Sequence, residues 1–138
     1  CRVNMIQLYS VLLIDDDHVT NFLHKNLLEE LAITKNITVC TNGEKALDYL
    51  RKADAENTAP DLIFVDLNMP VLDGIGFLQA YLHEKLHERY ASLVAVVSSS
   101  VNPKDIARVN ELGIARYITK PLTSGTVLGL INEISRQK

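Results

Sequence analysis

Apolar residues fall along this chain in two alternating patterns, contiguous runs and runs spaced three or four positions apart. The contiguous runs Val11-Leu12-Leu13-Ile14, Leu62-Ile63-Phe64-Val65 and Leu93-Val94-Ala95-Val96-Val97 read as strands buried on both faces. Ile37 and Val39 mark a short second strand, and Ala115–Thr119 reads as a fifth. Between them the helical period takes over. Val19, Phe22, Leu23, Leu27 and Leu31 predict one apolar face on a first helix, with Asp17 as its N-cap. Asn42-Gly43-Glu44 opens a second helix carrying Ala46, Leu47 and Leu50, and the polar stretch Asp54–Pro60 reads as a loop. Phe77, Leu78, Tyr81, Leu82 and Leu86 predict a long third helix. A fourth starts with Asn102 as cap and Pro103 at the first helical position, Asp105 reaching back from its first turn, and stops at Gly113. Thr123 or Ser124 caps the last, which turns Val127, Leu130, Ile131 and Ile134 inward. Strand and helix alternating through short loops predict an α/β fold, a parallel sheet covered on both faces.

Composition narrows the class. At 138 residues, with 47% hydrophobic and 22% charged positions, the chain fits one globular domain that needs no staples. Its net charge is −3 and its Lys and Arg residues are scattered, which argues against direct DNA binding. It has no apolar run long enough to cross a membrane. Cys1 and Cys40 form no disulfide framework, which fits a reducing compartment, with Cys40 a small buried residue ending the second strand. Residues 1–8 read as an N-terminal extension, with Met5 a candidate initiator, and 9–138 as the domain.

Four polar segments follow the apolar runs: Asp15-Asp16, Asp66, Ser98 and Lys120-Pro121. The carboxyl ends of parallel strands border one crevice, so these groups should meet there. Three carboxylates, a hydroxyl and an ammonium at one sheet edge suit Mg²⁺ and a phosphoryl group. Asp66, fixed at a strand end, can attack phosphorus as a nucleophile. Asp15 and Asp16 bring charge that repels Asp66 unless a cation joins them. Asp17 falls outside that pair and reads as a helix cap.

With these residues in this order, the chain resembles the receiver domain of bacterial two-component response regulators over roughly residues 9 to 136. The resemblance implies a flavodoxin-like, doubly wound, five-stranded parallel sheet in the order 2-1-3-4-5, with helices on both faces. It implies Asp66 as phosphoacceptor, and Mg²⁺ held by Asp16, Asp66 and the backbone carbonyl of Asn68, with Asp15 acting through water or positioning the ion. By the same resemblance Lys120 pairs with a phosphoryl oxygen, aimed by a cis Lys120-Pro121 bond. Ser98 is then the switch hydroxyl, small Ser99 leaves room for the donor, and Tyr117 is the aromatic that swings inward. Asp73-Gly74 takes the place of the turn in the loop after the phosphorylation site. The implied partners are a sensor histidine kinase or histidine phosphotransfer protein and a downstream protein target. Such a stand-alone, cytoplasmic receiver catalyses only its own phosphorylation and dephosphorylation.

Three rival readings remain. The chain could serve as a phosphate sink in a phosphorelay. His83-Glu84-Lys85-Leu86-His87 spells a zinc-peptidase pattern, with Glu84 as general base; Lys85 and the lack of a His-bearing extension count against it. Asp15 and Asp17 resemble the Asp-x-Asp opening of haloacid-dehalogenase-like phosphatases. After Lys120, however, the only acid is Glu133, so the acidic pair that family needs is missing.

Overall fold

A computed structural model describes residues 7–86 and 92–137. Its elements run β1 (Val11–Ile14), α1 (His18–Leu31), β2 (Ile37–Cys40), α2 (Gly43–Glu56), β3 (Leu62–Val65), α3 (Gly74–His83), β4 (Leu93–Ser98), α4 (Pro103–Glu111), β5 (Tyr117–Thr119) and α5 (Ser124–Gln137). The strands form one five-stranded sheet in the order β2-β1-β3-β4-β5, every pairing parallel. This is the flavodoxin-like arrangement the sequence pattern and the resemblance imply. Strand order reverses between β1 and β3, so their carboxyl ends open the crevice in which such folds bind ligands.

The contiguous apolar runs are buried because each face of the sheet has its own core. Leu12, Ile14, Ile63, Val65, Val94 and Val96 point toward α2, α3 and α4, where they meet Leu47, Leu50, Phe77, Leu78 and Val109. The alternate residues Val11, Leu13, Leu62, Phe64, Leu93, Ala95 and Val97 point the other way, onto Leu28, Val127, Leu130, Ile131 and Ile134 of α1 and α5. The period of two along each strand thus divides its apolar residues between two cores. Cys40 closes β2 as a buried free thiol.

Helix starts follow local chemistry. Asp17, Asn42, Asp73 and Asn102 each accept a backbone N–H from the first turn of α1, α2, α3 and α4, and the Thr123 hydroxyl accepts that of Thr126 at α5. Several boundaries and one face differ from the sequence reading. Helix α2 runs on to Glu56, absorbing residues 54–56 of the expected loop, because left-handed Asn57 at φ 58° supplies its cap. Strand β5 begins at Tyr117, and α3 ends at His83, three residues short of Leu86. Leu8, inside the segment read as an extension, is buried, and its N–H bonds the Ile33 carbonyl at 2.7 Å.

The apolar face assigned to α1 is the largest correction. Val19 and Phe22 are 65% exposed and Leu23 55%. The stripe that meets the sheet is Asn21, His24 and Leu28, flanked by half-buried Leu27 and Leu31. The neighbouring backbone gives each of these polar residues one partner, which offsets part of the penalty of burying them, while Asn21 Oδ1 is buried without a hydrogen-bond partner.

Candidate functional site

The sheet carries its ladder one step past the strands and so fixes the first two acids by their backbones. The Asp15 N–H bonds the Cys40 carbonyl at 3.1 Å, and the Asp66 N–H bonds the Ile14 carbonyl at 2.9 Å. The Asp15 carboxylate accepts the Asp17 N–H at 2.9 Å, and Asn21 Nδ2 holds the Asp15 carbonyl at 2.8 Å. Asp15 and Asp66 are buried while Asp16 is exposed. Each of the three offers an oxygen, all within 4.8 Å of one another.

Lys120 answers them from the end of β5. Its N–H bonds the Ser98 carbonyl at 2.9 Å, and the peptide bond to Pro121 is cis. Its Nζ lies 2.7 Å from Asp15 Oδ2 and 3.4 Å from Asp66 Oδ1. Burial, reinforced by the Asp15 charge, pushes the Asp66 carboxyl up to about 6; Lys120 and a backbone N–H from Asn68 oppose the rise. Burial also works against the Lys120 charge, but Asp15 and Asp66 more than offset it and hold its pKa above the ordinary value. One ammonium against three carboxylates leaves the cluster short of positive charge. An all-oxygen, acid-rich set with one exposed member suits a hard divalent cation such as Mg²⁺.

Ser98, whose carbonyl holds the Lys120 N–H, shares a hydrogen-bonded junction at Ser100 with Tyr117. Ser98 is fully buried, and its hydroxyl accepts the Ser100 N–H at 3.1 Å. The Tyr117 hydroxyl donates to the Ser100 carbonyl at 3.0 Å. The Ser100 hydroxyl donates to Asp105 of α4 at 2.8 Å and accepts the Asn102 N–H at 3.2 Å. Asp105 thus reaches back from the first turn of α4, as the sequence suggests, and its partner is Ser100. Asn68 is exposed just beyond Asp66. Gly74 has a different role from the permissive turn expected of it: a Cβ there would stand 2.3 Å from the Asp66 carbonyl oxygen. The missing side chain lets the start of α3 lie against the backbone of the acid.

The family profile described as the response regulator receiver domain matches residues 11–132. The chain belongs to the response regulator receiver family. This receiver is 34% identical over 114 residues to the sensor histidine kinase CheAY of Helicobacter pylori, a match covering 82% of the chain and 13% of that protein. It is 29% identical over 127 residues to the two-component response regulator 24 of Arabidopsis thaliana, covering 91% of the chain and 84% of that protein. Among solved structures it resembles the two-component response regulator from Cytophaga hutchinsonii with a TM-score of 0.86 at 30% identity, covering 94% of this chain and 98% of that one. It spans 13% of the CheAY kinase and 46% of the probable C4-dicarboxylate response regulator DctR of Bacillus subtilis.

The receiver fold brings together the acids and the lysine that the sequence singled out, and of the zinc pattern it describes His83 to Leu86. Helix α3 closes at His83, Lys85 turns left-handed at φ 60°, and Glu84 is held by Arg51 at 2.6 and 2.8 Å. His87 lies outside the described residues. Sequence reasoning missed Asn21 and His24, the buried polar pair behind the acids. Their only signal was two polar residues three apart within an apolar helix, which reads equally well as a solvated face.

Proposed function

We propose that this receiver takes a phosphoryl group onto Asp66 from a phosphohistidine of a sensor kinase or phosphotransfer protein, and thereby changes a protein-docking surface. The observation that carries the reading is the Asp66 carboxylate at a strand end, 3.4 Å from Lys120 and within 4.8 Å of oxygens of two further acids. An Asp66 oxygen forms the new O–P bond as the donor's N–P bond breaks. The imidazole leaves with that electron pair and takes a proton from solvent. Lys120 turns toward the incoming phosphoryl oxygens and balances their charge. Mg²⁺, when bound by Asp15, Asp16, Asp66 and the Asn68 carbonyl, supplies the remaining positive charge for the acids and the phosphoryl group.

A donor has to reach Asp66 past the rim of the crevice. Val19 on α1, Val71 in the loop after β3 and Val101 in the loop after β4 are 65%, 75% and 69% exposed around it. Beside Val19, Phe22 and Leu23 extend the apolar surface along α1, and such a surface supports a protein donor. On the output side, the Ser98 hydroxyl exchanges its Ser100 partner for the phosphoryl group, and Tyr117 moves with the freed loop. The reading carries a cytoplasmic location and no activity toward other substrates. The test is incubation with acetyl phosphate and Mg²⁺, followed by intact mass. One added phosphoryl group, lost in Asp66→Asn and without Mg²⁺, is expected; label persisting in Asp66→Asn refutes the assignment.

A further inference from the structure

Helix α1 ties together the two loops that bring opposite charges to the site. Asn21 holds the carbonyl of Asp15, and one turn later His24, 5% exposed, accepts the Leu122 N–H at Nε2 over 3.2 Å. Leu122 stands two residues past Lys120. Pro121 between them has no N–H, so the segment offers only two backbone donors, those of Lys120 and Leu122. Ser98 takes the first and His24 the second. One end of the lysine-bearing loop is thus fixed by β4 and the other by a histidine of α1.

A leucine at position 24 would fill the same core with no polar atom to satisfy, so the imidazole needs a reason to be there. Accepting an N–H at Nε2 requires a neutral ring with its proton on Nδ1. The surroundings favour the neutral form: burial lowers the pKa of His24, with Asp15 opposing and Lys120 adding to the effect. Asp15, Asn21, His24 and Asp66 also line one small internal cavity, so a shift of α1 is felt at both acids.

We infer that His24 is a positioning residue for phosphoryl transfer, setting the reach of the Lys120 ammonium to Asp66 by holding the N–H of Leu122. It touches no reacting atom itself, and the inference rests on Asp66 being the phosphoacceptor. A misplacement of about 1 Å in an aligned transfer costs up to ~100-fold in rate, so a loss of roughly tenfold is expected when this tether is cut.

Two variants separate positioning from packing. His24→Leu keeps the volume and removes the acceptor, whereas His24→Gln returns an acceptor, Oε1, to about the place of Nε2. Two measurements are made on each full chain: the rate of Asp66 labelling by acetyl phosphate at saturating Mg²⁺, and the solvent exchange of the Lys120 ammonium by ¹⁵N NMR without phosphodonor. His24→Leu should label roughly tenfold slower and exchange its Lys120 protons faster, and His24→Gln should recover most of both, whatever the order of their melting temperatures. A His24→Leu chain with wild-type labelling and exchange overturns the inference, as does equal impairment of both variants. A wild-type chain that takes no label refutes the phosphoacceptor reading instead, and the ammonium exchange still decides whether His24 holds Lys120.

Discussion

Asp66 is buried beside a second carboxylate, which raises its pKa from 3.8 to about 6. Because the folded value lies above the unfolded one, the folded chain keeps this proton more tightly. The associated stability is complete below pH about 4 and is lost as pH rises through about 6. Removing the charge should therefore strengthen the fold at neutral pH. Asp66→Asn in Mg²⁺-free buffer is expected to be more stable than wild type by on the order of 2–3 kcal/mol at pH 7.5, with the two converging near pH 4. Urea titrations across that range check it, and a neutral-pH advantage for wild type would contradict the burial argument. Val71 presents a different residue-scale cost. It is 75% exposed and left-handed at φ 69°, at the centre of a tight turn in which the Leu72 N–H bonds the Pro70 carbonyl at 2.8 Å. A β-branched residue is strained there by about 1–2 kcal/mol, and glycine would give back about 0.5–1 in chain entropy. Val71→Gly is thus expected to raise stability by up to about 1 kcal/mol in the same titration, with no packing contact to lose.

At the scale of elements, α3 is seated by an absence. The Cα of Gly74 faces the backbone of Asp66 and Leu67, where a methyl group would lie 2.3 and 2.6 Å from their atoms. Backbone cannot swing aside as a flexible side chain can, so α3 or the loop carrying Asp66 has to move. Gly74→Ala should destabilise the fold by about 1–3 kcal/mol and slow acetyl phosphate labelling of Asp66 as well. Unchanged melting and labelling in that variant would show the contact to be soft. Helix α1 has a similar double duty. Its inner stripe holds the site through Asn21 and His24, leaving Val19, Phe22 and Leu23 in solvent.

Across the molecule, a short path of hydrogen bonds joins Ser98 to the surface of α4. Ser98 and Tyr117 both bond Ser100, and the Ser100 hydroxyl bonds Asp105 in the first turn of α4. In the proposed switch, a Ser98 hydroxyl turned to a phosphoryl oxygen would remove one bond from the junction at Ser100 and let α4 and Tyr117 repack together. A bias of a few kcal/mol is enough for such a population shift. Arg116, beside Tyr117, is paired with Glu133 of α5, so the proposed rearrangement would extend to that helix too. Amide exchange with and without beryllofluoride should change across residues 98–113 and around Tyr117, and little in α1 beyond its first turn. Changes confined to the loops of Asp15, Asp66 and Lys120 would point to a phosphate sink.

The sequence by itself determined the existence and order of the strands, the caps at Asp17 and Asn102, and the acids with their lysine. Those features are local: a run such as Val11–Ile14 needs burial on two faces wherever it sits, and polar residues just past strand ends in a parallel sheet share one edge. What only the tertiary structure decided is the direction of side chains whose partners are distant in the chain. Apolar spacing on α1 suggested Val19, Phe22 and Leu23 as core, yet the backbone of Asp15 and Leu122 draws Asn21 and His24 inward. Ninety-eight positions separate His24 from Leu122, and no local pattern records that contact. The close approach behind Gly74 was hidden for the same reason, since a glycine in a loop reads as a turn until the backbone of Asp66 is seen against it.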